Sequence, residues 1–413
     1  MIKLAGGKSP GGPGAQTWWE SHGPLVMRIA IYGMIAASIV WLGYQFWRLI
    51  WLRGYWGAVD LHQRYVEVQD WFGGRKVYGR SETPTYPPAS YVLLWPFLGW
   101  VTFNQARWIW AVTTIVVLAW FIRLARRESL VRTSQERTLV TLMPLAAYAT
   151  GATVGNGQLS VHLLPLLVAS LLLVAKGPGR WRDDLLAAGL FIPALVKPSF
   201  SLPFYLLVLF LPRRIRPAAL IAAGYGAITL LACSFQEGSL LDQMRGWQAS
   251  VEMSLNSYAL RFSHENLHIW FASLGLSRWL SAASFLVLLA LGLWIYFHRY
   301  IDVWVLIGVA ALVGRLYTYH GWYDDVLLFL PVITLFRIAS RNGEVERDAT
   351  PARVLLGANL LFMIAPGGLY LFPYPLNMIY VAFQTLVWMA LLGFLFLHAR
   401  RAKDADRASL RGC

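Results

Sequence analysis

Long runs of apolar residues, separated by short polar or basic segments, extend along most of this chain. A run of about 17 residues or more can cross the roughly 30 Å of bilayer hydrocarbon as a helix. Continuous apolar blocks favour helices over barrel strands, in which apolar and polar positions alternate. The pattern predicts an all-α, polytopic membrane protein with about 12 transmembrane helices. The predicted spans are residues 25–50, 105–123, 138–151, 158–175, 185–196, 199–212, 218–235, 279–298, 302–315, 325–338, 352–371 and 377–398.

The apolar segment PASYVLLWPFLGW, residues 88–100, does not fit this series. At 13 residues it is closer in length to a re-entrant or interfacial helix than to a span. If it crossed the membrane, the helix count would be 13 and the basic segment 123–137 would face outward, against the positive-inside rule. We therefore expect this segment to dip into the outer leaflet.

The basic residues give the orientation of the bundle. The chain has a net charge of +15 although only 14% of its residues are charged, compared with about 25% in a soluble domain. Lys and Arg occur in short clusters between the apolar runs, which is the positive-inside pattern of a membrane protein and argues against nucleic-acid binding. The clusters that we place in the cytoplasm are residues 123–137, 176–184, 213–217, 298–299, 337–347 and 399–407.

This orientation divides the chain into three parts with both termini inside. Residues 1–24 form a cytoplasmic tail that lacks the apolar core of a signal peptide. Residues 25–398 form a single transmembrane domain, and residues 399–413 form a second cytoplasmic tail. Two long segments of the domain face outward, a first outer loop at 51–87 with interfacial helices and a second loop at 236–278.

Asp60, at the outer end of the first span, is the first candidate for chemistry. An acid in such a position is often only solvated. Here, however, the stretch 54–74, GYWGAVDLHQRYVEVQDWFGG, places aromatic and apolar side chains among charged ones at helical spacing. We expect this amphipathic stretch to cover the acid rather than expose it.

Lys197 is the second candidate, because it is a single cation within the otherwise apolar stretch 185–212. A charge at membrane depth costs roughly 2.5 kcal/mol or more and marks a functional site by default. Phosphate binding is one interpretation. Snorkelling to the interface and pairing with a buried carboxylate are the alternatives.

Three further polar motifs fall on the outer face: GNGQ (155–158), NSYALRF (256–262) and RLYTYHGWYDD (315–325). Alone, the GNGQ motif indicates no more than a helix-breaking turn. A histidine such as His320 is more often a packed interfacial residue than a catalyst. The cytoplasmic loops contain no phosphate-binding loop and no dinucleotide fingerprint. Any chemistry is therefore expected on the outer face.

Taken in order, these motifs resemble the GT-C class of integral membrane glycosyltransferases. They are most similar to glycosyltransferase family 87, the polyprenyl-phosphate-mannose-dependent α-mannosyltransferases. The resemblance covers most of residues 40–330 and rests on the acid that closes the first span, YPP at 86–88, GQ at 157–158, Lys197-Pro198, an Asn and Arg pair, and the histidine motif. The chain has Asp60-Leu61 where other GT-C members carry paired acids, so no metal is expected.

The resemblance implies an enzyme that transfers a hexose, mannose first, from a polyprenyl-phosphate-sugar donor to a lipid or glycan acceptor. Arabinofuranose or another pentose is the alternative sugar. It implies that Asp60 is the general base and that His320 assists near the transferring centre. It assigns substrate binding to Lys197, Arg261, Asn256, Gln158, Asn156, Tyr86 and Arg315. No cofactor and no nucleic acid are implied, and the expected location is a bacterial inner membrane with the active site on the extracytoplasmic face.

Elementary chemistry is compatible with this assignment. Cations at headgroup depth stabilise a phosphate as it leaves, and one carboxylate is enough for an inverting transfer, whereas a double displacement needs a second as nucleophile. Two other functional classes stay open. A polysaccharide polymerase or ligase would use lipid-diphosphate glycans and would not need Asp60, and a lipid or anion transporter would have two pseudo-symmetric halves.

Overall fold

The computed structural model describes the backbone of residues 13–54, 57–79, 84–212, 215–262, 266–340 and 346–411. It describes their side chains except for residues 13–24, 26, 255–262, 268, 272, 346 and 405–411. Within these ranges the chain forms eighteen α-helices and no strand. The helices are α1 (Pro13–Ile50), α2 (Val59–Phe72), α3 (Pro88–Leu98), α4 (Phe103–Glu128), α5 (Ser134–Ala146), α6 (Tyr148–Asn156), α7 (Ser160–Lys176), α8 (Trp181–Ala194), α9 (Pro198–Phe210), α10 (Ile215–Cys233), α11 (Leu240–Phe262), α12 (Leu267–Ser273), α13 (Leu280–His298), α14 (Val303–Leu316), α15 (Phe329–Ser340), α16 (Glu346–Met363), α17 (Gly368–Leu371) and α18 (Leu376–Arg411).

The protein is an all-α polytopic membrane protein, as the apolar pattern predicts. Five helical segments of the described chain are long and apolar enough to cross a bilayer: Met27–Ile50, Phe103–Glu128, Ile215–Cys233, Ser277–His298 and Leu376–Asp404. A sixth candidate is the pair α6 and α7, which passes the same test but is bent by 116° at its break.

The other predicted spans correspond to shorter helices. The apolar helices α3, α9 and α14 have between 10 and 17 residues. Hydropathy counts apolar residues but does not detect where a helix stops, so it predicts twelve spans where the described chain has five or six helices of full length. The expectation that 88–100 is not an ordinary span agrees with its structure as the 11-residue helix α3.

The interior of the bundle is built around α14, whose residues Trp304–Arg315 are all buried. A helix that is apolar around its whole circumference is stable only when other helices surround it. Neighbours α9, α13, α15 and α18 pack against it. The C-terminal end of α14 leads into a polar segment, and this segment leads into the short 3₁₀ helix Trp322–Leu328.

Segment 51–87, predicted to be the first outer loop, contains the amphipathic helix that its sequence predicts, now seen as α2. The buried face of α2 packs on α3, α4 and α6. On this face the Trp71 Nε1–H donates to the Ala232 carbonyl at 2.9 Å, and the Trp71 ring stacks on Tyr91 with ring centroids 4.6 Å apart. The helix is therefore fixed by protein contacts rather than by the membrane interface alone.

The break between α6 and α7 fixes where α2 begins. Gly157 ends α6 in the left-handed region, with φ of 69°, a conformation that favours glycine. A Cβ at this position would lie 2.5 Å from the Leu61 Cβ, so the close approach of α2 also requires glycine. In addition, the Ala58 N–H donates to the Gly155 carbonyl at 3.1 Å. The GNGQ motif is thus a helix break that holds the start of α2 in place.

Candidate active site

A cavity of about 330 Å³ lies where α2, the start of α7, the start of α9 and α11 meet the segment 318–324. Four of the residues that the sequence assigns to the site line it: Asp60, Gln158, Lys197 and Tyr86. These residues come from four separate stretches of the chain. Their order is given by the sequence, but their proximity is given by the fold.

Asp60 lies in the first turn of α2 and is partly buried. Burial raises the pKa of the Asp60 carboxyl above its ordinary value, although a hydrogen bond with the Gln158 side chain and the charges of Arg64 and Lys197 act in the opposite direction. The net result is a carboxylate that faces a cavity and binds a proton more readily than an exposed aspartate does.

Lys197 lies between α8 and α9 and forms an ion pair with Asp324. Its Nζ is 2.6 Å and 2.7 Å from the two carboxylate oxygens of Asp324. Asp324 also accepts a hydrogen bond from the Ser160 hydroxyl. The pairing that the sequence left open as an alternative is therefore present, and both members of the pair also line the cavity.

The pKa of Asp324 is lowered in this arrangement. Burial alone would raise the pKa of its carboxyl, but the charge of Lys197 and the hydrogen bonds from Lys197 and His320 outweigh burial and hold that pKa well below its ordinary value. Although Asp324 lines the cavity, its proton affinity is therefore too low for it to accept a proton from a hydroxyl group near neutral pH.

His320 lies behind Asp324 and is buried, with its Nδ1 2.7 Å from an oxygen of Asp324. Burial lowers the pKa of His320, against the opposing effect of Asp324, so the ring is neutral near neutral pH and donates its Nδ1–H to the carboxylate. His320 does not line the cavity. Its position fits support of Asp324 better than direct contact with a substrate.

Arg315 and Asn156, which the sequence also assigns to substrate binding, do not line the cavity. Arg315 is completely buried and its Nε donates to Asp325, which also accepts a hydrogen bond from the Tyr148 hydroxyl. Asn156 accepts a hydrogen bond from Arg48 Nη2 at 3.2 Å. Arg315 therefore stabilises a buried carboxylate, which explains how a cation is tolerated at the end of α14.

Asn256 and Arg261 lie outside the residues whose side chains the structure describes. Their helix, α11, nevertheless borders the cavity through Trp247, whose Nε1–H donates to the Thr85 carbonyl at 2.9 Å.

Arg64 and Tyr323 are not among the site residues predicted from the sequence, yet both line the cavity. Arg64 follows Asp60 by four residues and so projects from the same face of α2, a relation that helical spacing could have indicated. Its guanidinium lies 4.2 Å from the centroid of the Tyr86 ring, and Lys197 Nζ lies 4.9 Å from that of Tyr323. No signal in the sequence points to Tyr323. In the described part of the chain, no group of three or more His, Cys, Asp or Glu residues could hold a metal ion.

Comparison with known families identifies the scaffold. The model of glycosyltransferase family 87 matches residues 85–366, which is more than half of the chain. The chain belongs to glycosyltransferase family 87. As a member of this family it is a glycosyltransferase that uses a sugar donor and an acceptor, and its apolar helices make it a multi-pass membrane protein. Comparisons with curated proteins and with solved structures gave no significant match.

The family match includes most of the cavity but not all of it. Tyr86, Gln158 and Lys197 lie within the matched range, whereas Asp60 and Arg64 precede it. The assignment of Asp60 therefore depends on the geometry of the cavity and not on the matched segment.

Proposed function

We propose that this family 87 enzyme transfers a hexose, with mannose as the first candidate, from a polyprenyl-phosphate-sugar donor to a hydroxyl group of a lipid or glycan acceptor. The transfer inverts the anomeric carbon, uses no metal and takes place at the extracytoplasmic face of a bacterial inner membrane. The observation that carries the proposal is the cavity, which presents one carboxylate of raised pKa, Asp60, beside the cations Arg64 and Lys197.

Asp60 is our candidate for the general base. The acceptor oxygen attacks the anomeric carbon, the bond from that carbon to the phosphate oxygen breaks, and the acceptor proton passes to Asp60. A base works best when its pKa lies near the operating pH, and burial moves the pKa of Asp60 in that direction. The other cavity carboxylate, Asp324, is committed to its ion pair and has a lowered pKa.

Lys197 is our candidate for the donor phosphate. A phosphodiester donor becomes a phosphomonoester, so negative charge develops on the leaving group, and a fixed cation stabilises it. Lys197 has three N–H groups, of which the two oxygens of Asp324 engage at most two. Asp324 thereby holds the ammonium group at the cavity wall and prevents it from snorkelling away, while one N–H stays available for a phosphate oxygen.

The number of suitable carboxylates supports the inverting stereochemistry. A retaining double displacement needs a carboxylate nucleophile on the sugar carbon in addition to a base. Among the described residues that line the cavity, Asp60 and Asp324 are the only acids, and Asp324 is engaged by Lys197, His320 and Ser160. A single displacement needs no second carboxylate.

The experiment that tests the proposal is sugar transfer by purified enzyme in detergent, with bacterial lipid extract as acceptor and three radiolabelled donors supplied separately. We expect transfer from polyprenyl-phosphate mannose, little from a nucleotide sugar or a lipid-diphosphate sugar, and no loss of rate in EDTA. Transfer only from the lipid-diphosphate donor would instead support a polymerase or ligase, and abolition by EDTA would refute the metal-free reaction.

Lys197→Met tests the phosphate site, and Lys176→Met is its matched control. Lys176 also forms a lysine–carboxylate ion pair, 2.6 Å from Glu128 at the far end of α7, away from the cavity. We expect donor binding to weaken strongly in Lys197→Met and to change little in Lys176→Met. Equal donor affinity in the wild type and Lys197→Met would restrict Lys197 to its ion pair.

A further inference from the structure

A second large concavity, of about 570 Å³, lies at the C-terminal end of α4. Four arginines line it: Arg123, Arg126 and Arg127 from α4, and Arg137 from α5. All four are exposed. The sugar-transfer reaction proposed above makes no use of this arginine groove.

Within the part of the chain that the structure describes, three of these arginines have no acidic partner. Arg127 pairs with Glu128 at 3.1 Å, but no salt bridge joins Arg123, Arg126 or Arg137 to an acid within the described residues. The nearest acid along α5, Glu136, accepts hydrogen bonds from the backbone N–H groups of residues 132 and 133 and so caps that helix. The groove therefore holds an excess of positive charge.

An exposed apolar stripe runs from the groove along α4. Ala119 and Ile122 line the groove, and Ile115 and Val112 lie one and two turns further towards the helix N-terminus with 58% and 56% of their surface exposed. These positions share one face of a helix that is long and apolar enough to span the membrane. In a bilayer that α4 spans, the stripe would face hydrocarbon and the arginines at its end would lie near the headgroups.

The groove and the catalytic cavity lie at opposite ends of α4. The helix has 26 residues and is about 39 Å long at 1.5 Å per residue. At its N-terminal end Phe103 contacts Tyr65 of α2, with ring centroids 5.4 Å apart, and α2 carries Asp60. A ligand in the groove would therefore be separate from the donor and acceptor, and with α4 across the membrane it would come from the opposite leaflet.

We propose that the arginine groove binds the phosphate headgroup of an anionic phospholipid from the leaflet at this end of α4, with an acyl chain along the apolar stripe. Basic pockets beside transmembrane helices on the side of the basic loops suit such headgroups, and guanidinium groups bind phosphate oxygens in a bidentate way. A free anion would use the arginines but would gain nothing from the stripe, so the combination favours a lipid.

The test is native mass spectrometry of the purified full-length protein in micelles that contain equal amounts of phosphatidylglycerol and phosphatidylcholine. The variant is R123Q/R126Q/R137Q. Its matched control, R132Q/R182Q/R400Q, removes the same charge from exposed arginines of the basic segments that do not line the groove. Each basic residue near an anionic surface strengthens binding about fivefold. We therefore expect the preference for phosphatidylglycerol over phosphatidylcholine to be at least about tenfold lower in the groove variant than in the wild type. The control should keep it.

Two further measurements, of salt dependence and of competition by inorganic phosphate, test whether the ligand is an anionic lipid. In the wild type the phosphatidylglycerol preference should fall as salt is raised, because exposed charges are screened. Inorganic phosphate at millimolar concentration should not displace the lipid, since it lacks acyl chains. Equal retention by the groove variant and the control, or displacement of the lipid by inorganic phosphate, would overturn the proposal.

Discussion

Replacing Asp324 by asparagine removes the charge that faces Lys197 and leaves an ammonium group at the cavity wall without its counter-ion. Asp324 is 1% exposed and accepts hydrogen bonds from Lys197, His320 and Ser160. Breaking a buried ion pair by removing one partner typically costs about 3–5 kcal/mol. Because Lys197 borders the cavity, where water can solvate it in part, we expect a loss of about 3 kcal/mol in the free energy of unfolding.

A double-mutant cycle isolates the pair. Lys197→Met should cost a similar amount, because it leaves the Asp324 carboxylate buried beside a neutral histidine. The double variant should lose about 2 kcal/mol less than the sum of the two single variants, as expected for residues in direct contact. The assay is unfolding in mixed micelles titrated with a denaturing detergent, followed by the fluorescence of the 20 tryptophans.

Lys176→Met combined with Asp324→Asn is the control cycle, since Lys176 pairs with Glu128 at the other end of α7. The two changes should be additive. The reasoning would be refuted if the costs of the single variants Lys197→Met and Asp324→Asn likewise added up to the cost of their double variant to within about 0.5 kcal/mol. The pair would then not be energetically coupled.

Three other predictions concern Asp60 and the orientation of the bundle. Gly157→Ala should lower both stability and turnover, because the backbone of residue 157 is left-handed and the added Cβ would meet Leu61 beside Asp60. Gly189→Ala, whose added Cβ would meet nothing within 4 Å, should lower neither. Equal behaviour of the two variants would contradict the role of the helix break. Burial raises the pKa of Asp60, so the stabilising contribution of its carboxyl is complete below the ordinary pKa and is lost as pH rises through the raised pKa. Asp60→Asn should therefore raise the detergent concentration at the unfolding midpoint near neutral pH but not near pH 4. An unchanged midpoint at both pH values would show that Asp60 is not desolvated. Arg132→Cys, in a chain without its two native cysteines, should resist an impermeant thiol reagent in intact cells, and labelling from outside would reverse our orientation of segment 123–137.

The sequence was sufficient to predict the fold class and part of the site. Hydropathy identifies an all-α membrane protein because apolar runs of span length have no other common explanation. The topology predicted from the basic clusters puts Asp60, Gln158, Lys197 and Tyr86 on the same predicted face, and the fold brings them into one cavity. Helical spacing in the first outer loop also predicts the amphipathic helix α2.

The contacts between distant segments could not be predicted. Lys197 and Asp324 are 127 residues apart, and periodicity carries no information about such a pair. Arg315 carries the same charge as Lys197, but it lies at the end of the central helix α14 and pairs with Asp325. Only the packing of α14 therefore distinguishes a buried structural cation from one that borders the cavity. Hydropathy likewise does not report the 116° bend between α6 and α7.

The central claim, that Asp60 is the base of the transfer reaction, is tested most directly by the turnover of Asp60→Asn with polyprenyl-phosphate mannose. The control is Asp70→Asn, an acid of the same helix that pairs with Arg75 and does not line the cavity. Asparagine keeps the shape of the side chain but cannot accept the acceptor proton, so we expect Asp60→Asn to lose about 10²–10⁴-fold in turnover, the usual contribution of a general base, with donor affinity retained. Turnover of Asp60→Asn close to that of the wild type and of Asp70→Asn would contradict the claim.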